Sequence, residues 1–120
     1  MWSTYILTAA MLHAETIYVS STGSHQYPFD KWNTAATNIQ ATVDAAPADA
    51  TILIKPGLYT GQSENIVTIS KPLALKGETG NPADVIIDGE GMRRGILAVA
   101  TNDYAVVTIS GITVTNCRST

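Results

Sequence analysis

The densest acidic group in this 120-residue chain is Asp84, Asp88 and Glu90. Set in Asp88-Gly89-Glu90-Gly91, they could bind calcium, a hard cation that needs several oxygen ligands. Two or three carboxylates on one turn are too few to specify such a site. An Asp that closes a tight turn by bonding its own backbone explains the motif equally well. Asp88, Glu90 and Asp103 could also supply the carboxylate pair of a glycoside hydrolase. That mechanism needs two carboxyl groups about 5–10 Å apart across the sugar, and turn placement accounts for all three residues without it.

The remaining chemistry-bearing residues are sparse. Arg93-Arg94 could meet an acidic sugar, because guanidinium pairs well with carboxylate; adjacent loop arginines are otherwise solvated. Tyr27, Phe29 and Trp32 offer a stacking platform for sugar or, more simply, a fastening for their loop against a helix. His13 and His25 stand alone, with no visible partner for base or metal work. Cys117 is the only cysteine, which excludes a disulfide within the chain or a cysteine-based zinc site. Beside a strand it is expected to pack as a small apolar group. No phosphate-binding glycine loop or nucleophile elbow is present. The sequence therefore assigns no catalytic residue, no metal ligand and no cofactor.

Composition sets the frame for these residues. Apolar residues make up 45% and charged residues 14%, with a formal net charge of −3. That is ample apolar material for one ordered domain. The seven Lys and Arg form no stripe, which disfavours a nucleic-acid partner. The run Trp2 to Leu12 is apolar apart from Ser3, Thr4 and Thr8. It is too short to span a bilayer and suits the apolar region of a secretion signal at 1–14, cut after Ala14. No Lys or Arg precedes it, and Leu12 stands where a small residue is preferred; the alternative is a first strand packed on the domain.

Two periods organise residues 15–120. Ala36, Ile39, Val43 and Ala46 fall at helical steps of three and four, predicting an amphipathic helix of about three turns over 34–46. Asn33, Thr34 or Thr37 would cap it, and Pro47 ends it. Short β-rich runs occupy Ile17–Ser20, Thr51–Ile54, Ile66–Ile69, Leu73–Lys76, Val85–Ile87, Ile96–Val99, Val106–Ile109 and Ile112–Thr115, divided by Gly, Pro, Asn and Asp. Pro56-Gly57 is read as a turn. Ile52 to Leu73 and Val85 to Val106 each span 21 positions, Ile87 to Ile109 spans 22, and Leu73 to Ile96 spans 23. A period in the twenties is a repeat signature. It predicts a chain that returns above itself in about three coils of parallel, in-register strands. Ile52, Ile54, Leu73, Leu75, Ile112 and Val114 should then point inward, and Lys55, Ala74, Lys76, Thr113 and Thr115 outward. The amphipathic helix would cap the first coil.

Several of these stretches resemble a known group. Tyr18-Val19-Ser20, Gly23-Ser24, Pro28-Phe29, Trp32, Thr34-Ala35-Ala36, Ile39-Gln40-Ala41 and Val43-Asp44-Ala45-Ala46 look like the opening of secreted bacterial right-handed parallel β-helix proteins of the pectate-lyase-like superfamily. Ile52 to Tyr59 is similar to the strand and turn after the capping helix there. Leu75-Lys76-Gly77-Glu78 and Val85 to Gly89 resemble the start of pectin methylesterases, and Thr108 to Asn116 a later coil. The resemblance covers roughly 100 residues and implies an all-β solenoid. It carries over no catalytic residue, because the catalytic and calcium-binding motifs of these families lie in later coils and match nothing here. The expectation is the N-terminal part of a secreted or cell-surface protein that acts on or binds polysaccharide, open at its far end after Asn116, without a complete active site and without a membrane span. The alternative is a non-catalytic, adhesin-type structural solenoid.

Overall fold

In the computed structural model, residues 15–100, 102 and 105–118 are described. The expected signal segment, His13 and Asp103 lie outside them. The chain is strand-rich, its sheets are parallel, and one α-helix is present among the described residues.

The strands are β1 (Thr16–Val19), β2 (Ala50–Ile54), β3 (Gly57–Tyr59), β4 (Asn65–Ile69), β5 (Leu73–Gly77), β6 (Val85–Asp88), β7 (Arg94–Ala98), β8 (Val107–Ser110) and β9 (Thr113–Thr115). They form three sheets with the orders β1-β2-β5-β8, β3-β6-β9 and β4-β7. From β2 onward the chain therefore visits the three sheets in turn. All the pairings are parallel.

Alternation decides the faces, because a strand turns successive side chains to opposite sides. Register stacks Ile17, Ile52, Leu75 and Ile109 in one column of the first sheet. Tyr59, Ile87 and Val114 make a second column, and Val67 with Ile96 a third. Ile52, Ile54, Leu73 and Leu75 are buried as expected. Ile112 packs partly against the core. Val114 shares a column with buried Ile87 but is 44% exposed, since among the described residues no strand lies above it. Lys76 and Thr115 are exposed, and Lys55, Ala74 and Thr113 are half-buried.

The expected 21–23-residue period is corrected by the register. Leu73 pairs with Val107, not Ile96, and Ile96 pairs with Val67. Val85 pairs with Gly57, and Ile87 pairs with Val114 rather than Ile109. The return distance is 23 residues from Ala50 to Leu73 but 34 from Leu73 to Val107. Two connections account for nearly all of that lengthening: β5–β6 has seven residues against two for β2–β3, and β7–β8 has eight against three for β4–β5. Similar apolar runs in different sheets had simulated a fixed repeat.

β3 also departs from expectation. Its first residue belongs to the Pro56-Gly57 pair, yet Gly57 N donates to Asp84 O at 2.9 Å, and β6 supplies the rest of the ladder. Gly77 meets a tighter constraint, because a Cβ there would stand 2.1 Å from the Gly111 carbonyl oxygen. Any side chain would push β5 off the chain above it.

The helix, α1 (Ile39–Ala45), has about two turns rather than three. Its N-cap is Asn38, whose Oδ1 accepts from Ala41 N at 2.8 Å, and not Asn33, Thr34 or Thr37. Before it, Trp32–Thr34 form a short 3-10 turn, and Ala36 and Asn38 are extended. Ala36 forms a parallel bridge to Val19, with Ala36 N donating to Tyr18 O and Ser20 N to Ala36 O. Sheet pairing thus overrode the helical spacing at Ala36. Ala36, Ile39, Val43 and Ala46 are nonetheless all buried. The helix packs on β4, β1 and β2. Together, α1 and the 29–36 segment cover the outer side of β1 and β4.

Candidate functional site

The acidic residues singled out in the sequence are engaged in local structure. Asp88 Oδ1 accepts from Glu90 N at 2.7 Å, closing the turn on its own backbone. Glu90 holds positive φ, 57°, and its carboxylate meets Arg93 at 2.8 Å. Asp84 Oδ2 accepts from Thr79 Oγ1 at 2.7 Å. Among the described residues, no three His, Cys, Asp or Glu side chains gather closely enough to hold a metal ion. Arg94 lies 3.3 Å from Glu64, next to the bond from Arg94 N to Glu64 O that extends the β4–β7 pairing. Exposed pairs of this kind contribute roughly 0–1 kcal/mol each. Their effect is to tether the turns.

The aromatic residues divide between two contacts. Phe29 is buried in the core. Its ring lies 5.1 Å from His25 and 6.2 Å from Tyr27. Trp32 packs on Tyr18 of β1 at 4.5 Å, with the Lys55 ammonium 4.8 Å from its ring. The rings fasten the 25–32 loop to β1 and the core and do not form one stacking plane. His25 has a partner after all: its Nδ1 accepts from Thr37 N at 3.0 Å, which ties the loop to the entry of α1. Cys117 does not pack as a buried apolar group. It is exposed, with Sγ 3.3 Å from Thr115 O.

The site that the fold does build is elsewhere. A groove of about 580 Å³ runs between the start of α1 and the β3–β4 connection. Asn38, Gln40, Tyr59, Gln62, Asn65 and Thr68 lie along it, with Ser, Thr, Ile, Leu and Gly completing the wall. Among the described residues, no Asp, Glu, Lys, Arg or His lines it.

Two contacts fix this geometry. The Gln40 side-chain amide pairs with the free edge of β4: Oε1 accepts from Thr68 N at 2.7 Å, and Nε2 donates to Thr68 O at 3.2 Å. Nε2 also donates to Asp44 Oδ1 at 2.9 Å. One side chain thus does the work of a neighbouring strand. At the groove floor, the Tyr59 hydroxyl donates to Lys55 O at 2.7 Å, and burial pushes its pKa up to about 12. It stays protonated at neutral pH and acts as a fixed donor. Asn65 Oδ1 is shielded from solvent and accepts no hydrogen bond. Buried amide oxygens without partners are rare, because the lost hydration is not repaid.

Sequence reasoning missed this groove. Asn38 and Gln40 sit more than twenty residues from Gln62 and Asn65, and only the packing of α1 on β4 joins them. Gln and Asn at these spacings form no motif. Among the described residues, no helix is long and apolar enough to cross a membrane. Comparisons with protein-family models, curated proteins and solved structures find no match for this chain.

Proposed function

We propose that this chain is the N-terminal part of an exported right-handed parallel β-helix, of the pectate-lyase-like kind, that binds or acts on polysaccharide. The observation that carries the reading is the order in which the chain visits its three parallel sheets, with inward side chains stacked column on column from β1 to β8. Such stacking builds long, regular outer faces, which suit an extended polymer. The apolar run at Trp2 to Leu12 supports export.

In this reading these residues contribute polysaccharide binding and hold no complete active site of their own. Among the described residues, Asp84, Asp88 and Glu90 are committed to turns and local pairs. That same commitment favours the second reading, a non-catalytic surface solenoid that spaces or displays other segments.

Affinity electrophoresis of the chain through gels containing plant and bacterial polysaccharides tests the first reading. Retardation by at least one polymer, without release of reducing ends, is the expected result. Unchanged mobility in every gel would overturn it in favour of the structural solenoid.

A further inference from the structure

We infer that the groove between α1 and the β3–β4 connection binds an uncharged oligosaccharide, an assignment that rests on the polysaccharide reading and narrows it to neutral glycans. Its volume, about 580 Å³, falls within the range of small-molecule sites, roughly 300–1,000 Å³. It therefore has room for a short run of sugar rings.

The lining selects the ligand class. Sugar hydroxyls both donate and accept, so a matching wall needs amides and hydroxyls of both polarities. The groove offers this mixture. The side chains of Gln62 and Ser63 are exposed and make no hydrogen bond to the other described residues. Asn38 uses Oδ1 to cap α1, which leaves its amide nitrogen to donate. Gln40 is held in place by Thr68 and Asp44, so it forms a rigid wall and does not swing. Leu58 adds an apolar surface that is 62% exposed, suited to the C–H face of a sugar ring.

Charge excludes the acidic alternative. A polyuronate carries a carboxylate on every ring and needs a guanidinium, an ammonium or a bridging cation to hold it. Among the described residues, the groove lining has no cationic side chain and no carboxylate to recruit a cation. Arg93 and Arg94, the adjacent arginines that could meet an acidic sugar, are paired with Glu90 and Glu64 and do not line it. Desolvating a uronate here would cost more than neutral hydrogen bonds return.

Isothermal titration calorimetry with hexamers of β-1,4-linked glucose, xylose and mannose, set beside a galacturonate hexamer, tests this. The expected result is binding of at least one neutral hexamer and not of the galacturonate. Gln62→Ala should weaken it by fivefold or more, and Ser63→Trp should abolish it by filling the groove. Both positions are exposed, and circular dichroism would check that the variants fold. Neutral binding that neither variant changes would overturn this site while leaving the polysaccharide reading standing. Binding of the galacturonate alone would also overturn it. No binding by any of the four, with no polysaccharide retarding the chain, would remove both.

Discussion

The column Ile17, Ile52, Leu75 and Ile109 yields a graded prediction, because one side-chain position is sampled at four depths. Their exposures are 2%, 0%, 0% and 45%. Truncating Ile52 or Leu75 to Ala removes packed atoms and leaves a cavity between strands above and below. Such changes cost about 2–5 kcal/mol, and roughly 3 is expected here. Ile109→Ala removes three carbon groups, worth about 0.8 kcal/mol each when fully buried. With nearly half the side chain in solvent and no layer above to enclose a cavity, about 1 kcal/mol remains. Urea unfolding followed by circular dichroism measures all three, read as shifts in midpoint at a shared slope. An Ile109→Ala cost equal to that of Leu75→Ala would refute the register, since it would put Ile109 in a closed interior. A Leu75→Ala cost under about 1 kcal/mol would refute the column itself.

Two further perturbations probe the groove's supports. Gln40→Leu removes both bonds to Thr68, each worth about 0.5–1.5 kcal/mol net. Because Thr68 is exposed and water can replace part of the loss, a total near 1 kcal/mol is expected in urea melts, with faster hydrogen exchange at the Thr68 amide; exchange no faster than in the parent would sink the strand-like role of Gln40. Tyr59 gives a pH dependence of defined sign. Its folded pKa, about 12, lies above the ordinary value of 10, so the unfolded chain loses this proton first. The Tyr59 contribution is intact below pH 10 and is lost as pH rises from there toward about 12. The urea midpoint of the parent should fall more steeply over that window than that of Tyr59→Phe, and parallel slopes would contradict the assignment.

How much of this was legible in the sequence depends on how local the determinant is. Inward and outward faces of β2 and β5 follow from a period of two that nothing later disturbs, so Ile52, Ile54, Leu73 and Leu75 could be named at once. The Asp88 turn was also legible, because an Asx turn needs only its own neighbours. The start of α1 was not. Ala36 lies on the same buried side as Ile39 and Val43, but its backbone is claimed by Val19 and Tyr18, seventeen and eighteen residues away. Strand registry was harder still. It depends on loop lengths, and loops can lengthen at little energetic cost. The seven-residue β5–β6 and eight-residue β7–β8 connections, against two and three residues at the matching places one circuit earlier, therefore broke a period that looked regular. The groove was the least legible feature, since its two walls meet only through the packing of α1 on β4.

The two ends of the sheet stack are unlike, and that difference bears on the proposed function. At the start, the outer edge of β1 bonds to residues 29–36, and the Gln40 amide satisfies the edge of β4. At the other end, among the described residues, β8 and β9 each pair on one side only. Ile109 and Val114, inward by register, are 45% and 44% exposed there. Bare parallel edges carrying apolar side chains invite pairing with another strand. If a further strand layer covers them in the working protein, as the β-helix reading holds, both residues become buried in columns already built. The cost of Ile109→Ala should then climb from about 1 to about 3 kcal/mol when measured in a chain that carries that layer, while the costs at Ile52 and Leu75 stay as they are. An unchanged cost at Ile109 in such a chain would mean that the columns end at β8 and β9, and that the stack is not the opening of a longer helix.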